Sequence, residues 1–370
     1  MANGFIIDLI HTIHISKSQF QATMIQRFFH LVGQGAYYLE RHRSQDINIV
    51  YDCGTIWSRI KSGEKVVRES FGKGGVIHIL FISHFDYEHV SLIDTLKDTV
   101  KIERVVMPLL HDEEKIFLSN IYRFLGYPHL AMLVSNPREY FGPETQIIFV
   151  RPGIDEYIAE REPLDVSEVD QVYREVPSGT PLTINRIFNW VYIPYNHQYQ
   201  SRNKEFLDKL QEQGIKIHEL KTNQDYDLDA EVRKKVKAIY KRISGNINQN
   251  SMFLYSGPLS SKESSGYFMR REYCRSAIYC WNLDYYVRHF DSDRVACLYT
   301  GDGDLNLVDI RAIYKNYWEL IGTLQFPHHG SLPSFDASVF DDMHFFCPIS
   351  VGKRNNYGHP SQKVISDILS

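Results

Sequence analysis

The fold is decided by the stretch VIHILFISHFDYEHV at residues 76–90. Six of its first seven residues, Val76 to Ile82, are apolar, and such a short run predicts a buried β-strand. The next seven, residues 83–89, carry two imidazoles and two carboxylates, and a helix-like pattern runs from Val90 to Leu96. This order predicts a loop of ionisable side chains at the end of a buried strand.

Three other predicted strands end in the same kind of loop. Residues 295–299 lead into Asp302, residues 322–326 lead into His328 and His329, and residues 345–351 lead towards His359. Each loop alone can be explained by a purely structural role, such as that of a turn aspartate bonded to local backbone N–H groups. Four such loops are better explained together, so we expect them to converge on one cleft.

The rest of the chain suggests a single domain over residues 1–370. Aromatic and β-branched runs with turn residues between them predict further strands from residue 28 onwards. Residues 109–244 mix amphipathic helices with isolated strand-like pieces. We interpret them as a large mixed, mainly helical insertion in a core made of residues 28–108 and 245–370.

Composition limits the kind of partner. The formal charge of −4 on 370 residues offers no overall attraction to nucleic acid or to an anionic membrane, so a polyanion needs a local patch. The five cysteines show no C-x-x-C spacing, which argues against a disulfide framework or a thiolate zinc site. With no run of 18 apolar residues and no basic leader, we expect a cytoplasmic protein that does not enter membranes.

The residue types in the four loops suit metal binding. Imidazole nitrogen and carboxylate oxygen are ligands for zinc, manganese or iron, and this chain has enough of them for two ions. Asp302 lies between Gly301 and Gly303, where the backbone can approach closely. We therefore expect Asp302 to bridge two divalent ions, zinc or manganese.

An ordered set of motifs resembles the metallo-β-lactamase superfamily, and within it the hydrolase-like domain of the competence protein ComEC and its free-standing relatives. The motifs are Val32-Gly33-Gln34-Gly35, Asp52-Cys53-Gly54, His84-x-Asp86-x-Glu88-His89, Asn250-Ser251, Thr300-Gly301-Asp302, Pro327-His328-His329-Gly330-Ser331 and Tyr357-Gly358-His359-Pro360. The resemblance covers roughly residues 28–105 and 245–370. It implies an α+β fold, the αββα sandwich, in which two mixed sheets lie face to face with helices outside and a binuclear metal site at one sheet edge.

The chain departs from the commonest superfamily signature, H-x-H-x-D-H. Asp86 stands in place of the second histidine, as in the ComEC-like subgroup, and Glu88 stands in place of the aspartate. The usual histidine between this motif and the bridging aspartate has no clear match, and His111 and His197 are weak candidates for it.

The resemblance implies a specific set of site residues. The implied metal ligands are His84, Asp86, Glu88, His89, Asp302, His328 and His359. Asp52 is expected to support them from a strand end, and Glu88, Asp302 and His329 are the predicted catalytic residues. A free imidazole, His329 or His359, would protonate the leaving group.

Hydrolysis is the expected reaction, because a divalent ion lowers the pKa of a bound water and neutralises charge on a phosphoryl or carbonyl oxygen. With hard ligands and no cysteine at the bridging position, the set resembles the phosphodiesterase and nuclease branches of the superfamily more than the β-lactam or thiolester branches. One alternative is a hydrolase of a small ester, lactone or cyclic nucleotide. The other is a non-catalytic module in which a degenerate site holds one structural metal or none and the insertion binds a protein partner.

Nucleic acid or a nucleotide is the expected substrate. The stretch from Val232 to Arg242 carries six cations, and Lys234, Lys235 and Lys237 are candidates for phosphate contacts. The alternative interpretation of this stretch is an ordinary solvated helix face.

Overall fold

The computed structural model describes most of the chain. The described residues are 9–15, 24–72, 74–153, 158, 161–168, 173–185, 190–200, 202–242, 247–260, 267–273, 294–341, 343–352 and 358–369. Tyr357, which belongs to the last predicted motif, lies outside them.

The described strands are numbered β1 to β17 along the chain. They are β1 (Leu9–Ile15), β2 (Met24–Phe29), β3 (Tyr37–His42), β4 (Ile47–Cys53), β5 (Val76–Ile77), β6 (Ile79–Phe81), β7 (Lys101–Ile102), β8 (Arg104–Pro108), β9 (Gln146–Val150), β10 (Leu164–Asp165), β11 (Tyr173–Val176), β12 (Leu182–Thr183), β13 (Trp190–Gln198), β14 (Asn250–Pro258), β15 (Tyr267–Tyr273), β16 (Ala296–Tyr299) and β17 (Ile321–Leu324).

The described α-helices are numbered in the same way. They are α1 (Ile60–Ser70), α2 (Tyr87–Val90), α3 (Ile93–Thr99), α4 (Asp112–Leu125), α5 (Pro128–Ser135), α6 (Pro137–Phe141), α7 (Lys204–Glu212), α8 (Ile217–Thr222), α9 (Ala230–Arg242), α10 (Ile310–Ile313) and α11 (Gln362–Leu369). No helix in the described part of the chain has the length and apolar character needed to span a membrane.

Two mixed sheets organise the chain. The first has nine strands in the order β11-β9-β8-β6-β4-β3-β2-β1-β15; β11 to β4 run parallel and β4 to β15 antiparallel. The second has the order β10-β12-β13-β14-β16-β17, with parallel pairs only at its two ends. The short strands β5 and β7 form a separate parallel pair.

The two sheets pack face to face. One buried cluster fills the space between them and includes Tyr38 and Phe81 from the first sheet and Tyr192 and Leu254 from the second. Side chains alternate between the two faces of a strand, so the neighbours of these residues point outwards. A sandwich of two sheets therefore forms the centre of the molecule.

Helices cover both outer faces. Leu39 and Leu80 of the first sheet pack in one cluster with Val67 of α1 and Phe117 of α4. Tyr255 and Leu298 of the second sheet belong to another cluster, which contains Ile310 of α10. The order of layers is helices, sheet, sheet, helices, and the chain has the mixed content of the predicted α+β class.

The predicted strand Val76 to Ile82 is divided in two. β5 pairs with β7, whereas β6 lies inside the first sheet between β4 and β8. The break falls at His78, whose backbone N–H donates to the carbonyl oxygen of Asn48 at 2.9 Å instead of continuing the ladder. The buried strand that leads into the ionisable loop is therefore β6.

Residues 109–244, predicted as an insertion, contribute to both sheets. They supply β9 and β11 of the first sheet and β10, β12 and β13 of the second. β13 pairs with β14 along nine residues, from Trp190 to Gln198. Segments 28–108 and 245–370 alone therefore do not make up the two sheets. Besides these five strands, residues 109–244 contain the helices α4 to α9, which lie outside the sheets.

α4 has clear signals at both ends. Its first turn contains Asp112, Glu113 and Glu114, whose negative charge suits the positive end of the helix dipole. It ends at Gly126, whose φ of 86° is left-handed, a conformation in which glycine is favoured. Two side chains of this helix, Glu114 and Tyr122, contact the backbone of segments beside the candidate site.

Candidate metal centre

The ionisable loop after β6 lies against the end of β4, its parallel neighbour. The backbone N–H of Ser83 donates to Oδ1 of Asp52 at 2.7 Å and its hydroxyl donates to Oδ2 at 2.6 Å. Gly54 lies under α2: a Cβ at this position would be 2.4 Å from the carbonyl oxygen of Glu88. Glycine is therefore required for the turn after β4 to pack against this loop.

The loop after β16 reaches the same place. Oδ2 of Asp302 is 3.7 Å from Nε2 of His84, and its Oδ1 is 3.1 Å from Nε2 of His89. Gly301 has a φ of +55°, and a Cβ there would be 2.9 Å from Cβ of Ser83. This close approach brings together two loops that are far apart in sequence.

Six buried side chains form what we call the acid–histidine cluster. They are His84, Asp86, Glu88, His89, Asp302 and His329, and each is at most 5% exposed. Two groups within it have their potential ligand atoms within 4.8 Å of one another: His84 with His89 and Asp302, and Glu88 with Asp302 and His329. Asp302 belongs to both groups, which is the position expected of a bridging carboxylate.

The cluster contains six buried polar atoms without a hydrogen bond. They are Nε2 of His84, His89 and His329, Oδ2 of Asp86, and both carboxylate oxygens of Asp302. Buried polar atoms are normally hydrogen-bonded, so a concentration of exceptions needs an explanation. Imidazole nitrogen and carboxylate oxygen are zinc, manganese and iron ligands, so bound cations would give atoms of this kind their missing partners. These residues therefore fit a metal site.

The tautomers of two histidines suit metal binding. The Ser83 hydroxyl donates to Asp52, so it accepts a hydrogen bond from Nδ1 of His84 at 2.8 Å. Nδ1 of His89 donates to Oδ2 of Asp52 at 2.8 Å. In both rings Nδ1 is a hydrogen-bond donor, so Nε2 is the nitrogen left to bind a cation. Asp52, predicted as a supporting residue, thus orients His89 directly and His84 through Ser83.

His329 has the same arrangement. Its Nδ1 donates to the carbonyl oxygen of Ser350 at 2.8 Å, and a carbonyl only accepts, so Nε2 is the atom with the free lone pair. This atom faces Glu88 and Asp302. The ring predicted as a free catalytic imidazole therefore has the geometry of a ligand.

His328 and His359 lie beside the cluster, outside the two groups. Nε2 of His328 is 4.0 Å from Oδ2 of Asp302, and its Nδ1 is 3.1 Å from the Ser334 hydroxyl. The His359 ring is half-buried, with its centroid 5.9 Å from that of His328. Their predicted role as ligands stays a prediction.

The charges in the cluster shift several pKa values. Burial alone would raise the pKa of Asp302, but the imidazoles of His89 and His328 outweigh it and hold the pKa well below its usual range. Burial likewise opposes the charged form of His89, yet Asp302 and Asp52 raise its pKa well above the ordinary value. For Glu88, burial and then the neighbouring Asp86 raise the pKa. The crowded carboxylates therefore favour positive charge within the cluster.

Asn248 and Arg202 were missed by sequence reasoning. The Asn248 amide donates to Oδ1 of Asp86, and Nη2 of Arg202 donates to the carbonyl oxygen of Asp302 at 2.6 Å. The only signal for Asn248 was its place in polar turn material before β14, and nothing in the local pattern distinguished Arg202.

The two weak histidine candidates lie elsewhere. His111 is 3.2 Å from the amide oxygen of Gln198, and His197 packs edge-on against Tyr199 with ring centroids 4.5 Å apart. Neither belongs to a potential metal group among the described residues.

The three predicted substrate-binding lysines are on α9. Nζ of Lys237 donates to the carbonyl oxygen of Leu125 at 3.4 Å, Lys235 pairs with Glu231 at 3.9 Å, and Lys234 is exposed. The contacts found within the described residues do not link them to the cluster. Their role in substrate binding stays a prediction.

Comparison with known proteins identifies no family. No family model matches the chain, and no curated protein matches it either. The superfamily inferred from the motifs therefore stays a prediction, to be judged on the fold and the cluster.

Proposed function

We propose that this protein is a metal-dependent hydrolase of the metallo-β-lactamase superfamily that cleaves phosphodiester bonds in nucleic acid or a nucleotide. One observation carries the proposal: the acid–histidine cluster contains six buried potential ligand atoms without hydrogen bonds, and Asp302 belongs to both of its potential ligand groups. A pair of divalent ions, zinc or manganese, accounts for this arrangement.

The layer order supports the superfamily assignment. Two mixed sheets face each other between helices, and the cluster lies where loops leave β6, β16 and β17. This agrees with an αββα sandwich that carries its metal site at one edge.

The two groups suggest how the ions are held. His84 and His89 would hold one ion, Glu88 and His329 the other, and Asp302 would contact both. Oδ2 of Asp86, which has no hydrogen bond and lies 3.5 Å from Nε2 of His84, would face the first ion. Such ions supply Lewis acidity and a water of lowered pKa. His329 is then a ligand, which leaves the half-buried His359 as the candidate that passes a proton to the leaving group.

The donor set supports an oxygen-rich substrate. Within the described residues neither group contains cysteine, and imidazole with carboxylate leaves the ions hard enough to bind phosphoryl oxygen. The cations Lys234, Lys235 and Lys237 would supply a salt-dependent contact with a longer phosphate backbone.

Metal analysis and matched aspartate variants test the proposal. We expect about two ions per chain and hydrolysis of bis(p-nitrophenyl) phosphate in preference to aryl esters and lactones. Asp302→Asn should lose metal and activity by a factor on the order of 100. Asp304→Asn is the control, because Asp304 is on the same loop but accepts from the N–H of Asn306 at 3.0 Å.

Two results would overturn the proposal. One is an Asp302→Asn protein with unchanged metal content and unchanged phosphodiesterase activity. The other is a purified wild-type protein that hydrolyses only esters or lactones.

A further inference from the structure

Asn248 is a fully buried amide in contact with the acid–histidine cluster. We propose that Asn248 is a positioning residue that determines which oxygen of Asp86 faces the metal ions. The inference deepens the proposed function and rests on it, since it assumes that the cluster binds a divalent cation.

Both ends of the Asn248 amide are used at the ionisable loop. Its Nδ2 donates to Oδ1 of Asp86, and its Oδ1 accepts from the backbone N–H of Phe85 at 3.3 Å. The other Asp86 oxygen, Oδ2, has no hydrogen bond and lies 3.5 Å from Nε2 of His84. One amide therefore holds the backbone and the carboxylate of the loop together.

The donor fixes the rotation of the carboxylate. The terminal torsion of aspartate is broad and nearly two-fold, so without a partner either oxygen can face the cluster. With Asn248 present, Oδ1 is used as an acceptor and Oδ2 is left for a cation. Partners of this kind are known to orient metal ligands and raise their affinity.

Asn248 is itself rigidly supported. The backbone N–H of the next residue, Gln249, donates to the Glu114 carboxylate on α4 at 2.8 Å. The backbone carbonyl of Gln249 accepts from the N–H of Tyr199 at 2.6 Å. Residues from the middle of the chain thus hold the segment that orients Asp86.

The same loop is also held from two helices. The hydroxyl of Tyr122, on α4, donates to the carbonyl oxygen of Phe85, and the hydroxyl of Tyr240, on α9, accepts from the N–H of Tyr87 at 3.3 Å. These contacts fix the backbone alone, whereas Asn248 also bonds Oδ1 of the Asp86 carboxylate and so leaves Oδ2 for a cation. This difference separates its role from general support of the loop.

The test compares Asn248→Ala with Asn250→Ala. Asn250 is equally buried, two residues away, and its amide donates to Asn196 at 2.8 Å, so it controls for the loss of a buried amide. Zn²⁺ affinity is measured by competition with a chromophoric chelator, and stability by urea unfolding of the metal-free proteins. We expect Asn248→Ala to bind Zn²⁺ roughly 10–100-fold more weakly, with Asn250→Ala unchanged in affinity.

A second pair of variants tests the orientation itself and does not need Asn248→Ala to fold. In Asp86→Asn the remaining carbonyl oxygen should stay bonded to Asn248, so that the amide NH₂, which has no free lone pair, faces the cluster. We therefore expect Asp86→Asn to bind Zn²⁺ as weakly as Asp86→Ala.

Two outcomes would overturn this inference alone: wild-type affinity in Asn248→Ala, or much tighter binding by Asp86→Asn than by Asp86→Ala. A wild-type protein that binds no Zn²⁺ or Mn²⁺ would instead overturn the proposed function, and this inference with it.

Discussion

Replacement of Asp52 by asparagine should weaken metal binding without unfolding the protein. Asp52 is fully buried and accepts three hydrogen bonds, two from Ser83 at 2.7 and 2.6 Å and one from Nδ1 of His89 at 2.8 Å. Its φ is +55°, a conformation in which asparagine, like aspartate, is enriched among non-glycine residues. Asp52→Asn therefore tests the charge and the acceptor without adding backbone strain.

The change acts through the tautomer of His89. The single oxygen of the new amide can still accept from the Ser83 N–H, but its NH₂ group cannot accept from Nδ1–H of His89. Nδ1 of His89 can pair with this NH₂ group only by accepting from it, and the ring then carries its proton on Nε2. That proton then points at Asp302 from 3.1 Å, and the lone pair needed by a cation is gone.

The magnitude follows from the contacts that are lost. Hydrogen bonds to a charged group contribute about 1.5–3 kcal/mol each, and one or two of the three are removed. For metal affinity, loss of such a supporting carboxylate lowers binding roughly 10–100-fold, or about 1.4–2.7 kcal/mol. The affinity change should therefore be larger than that of any distant variant with the same loss of stability.

Chelator competition for Zn²⁺ and urea unfolding measure the two quantities. Asp165→Asn is the matched control, because Asp165 is also buried and accepts from the N–H groups of Ser167 at 2.9 Å and Asn185 at 3.1 Å, away from the cluster. The reasoning is refuted if Asp52→Asn keeps wild-type affinity while His89→Ala loses it.

Two further predictions concern stability. Arg27→Met should lower the free energy of unfolding by about 3–5 kcal/mol, because Arg27 pairs with Glu40 at 2.7 Å between the sheets and holds the pKa of that carboxyl below its usual range against the opposing effect of burial. Urea unfolding measures this loss, and a change below about 1 kcal/mol would contradict it. Glu114→Gln should stabilise the protein at pH 8, because burial raises the pKa of Glu114 from 4.5 to about 7. The stability due to the protonated group is then present below pH 4.5 and lost as the pH rises from 4.5 through 7, by about 3 kcal/mol. An equal effect of Glu114→Gln at pH 4 and pH 8 would count against it.

Local patterns were enough to locate the ionisable loops. A short apolar strand followed by polar, ionisable residues can be read from neighbouring positions, because strand burial and turn preference depend on nearby residues. For this reason His84, His89 and Asp302 were expected at strand ends, and the structure has Nε2 of each histidine within 4 Å of a carboxylate oxygen of Asp302.

Local patterns indicated strand-like pieces in the middle segment but could not assign them to the two sheets or find the shortest strands. Residues 109–244 supply five strands to the two sheets, yet β10 and β12 have two residues each. Such short strands leave no periodicity to detect, and only pairing with distant segments defines them.

The amino-acid sequence alone is enough to predict which residue types could form a metal centre and that strand ends would carry them. The orientation of these side chains depends on tertiary contacts. His329 rather than His328 faces Glu88, because a carbonyl 21 residues away, that of Ser350, accepts from its Nδ1. The tautomer and direction of a side chain are set by partners from distant parts of the chain, and these partners cannot be predicted from the neighbouring residues.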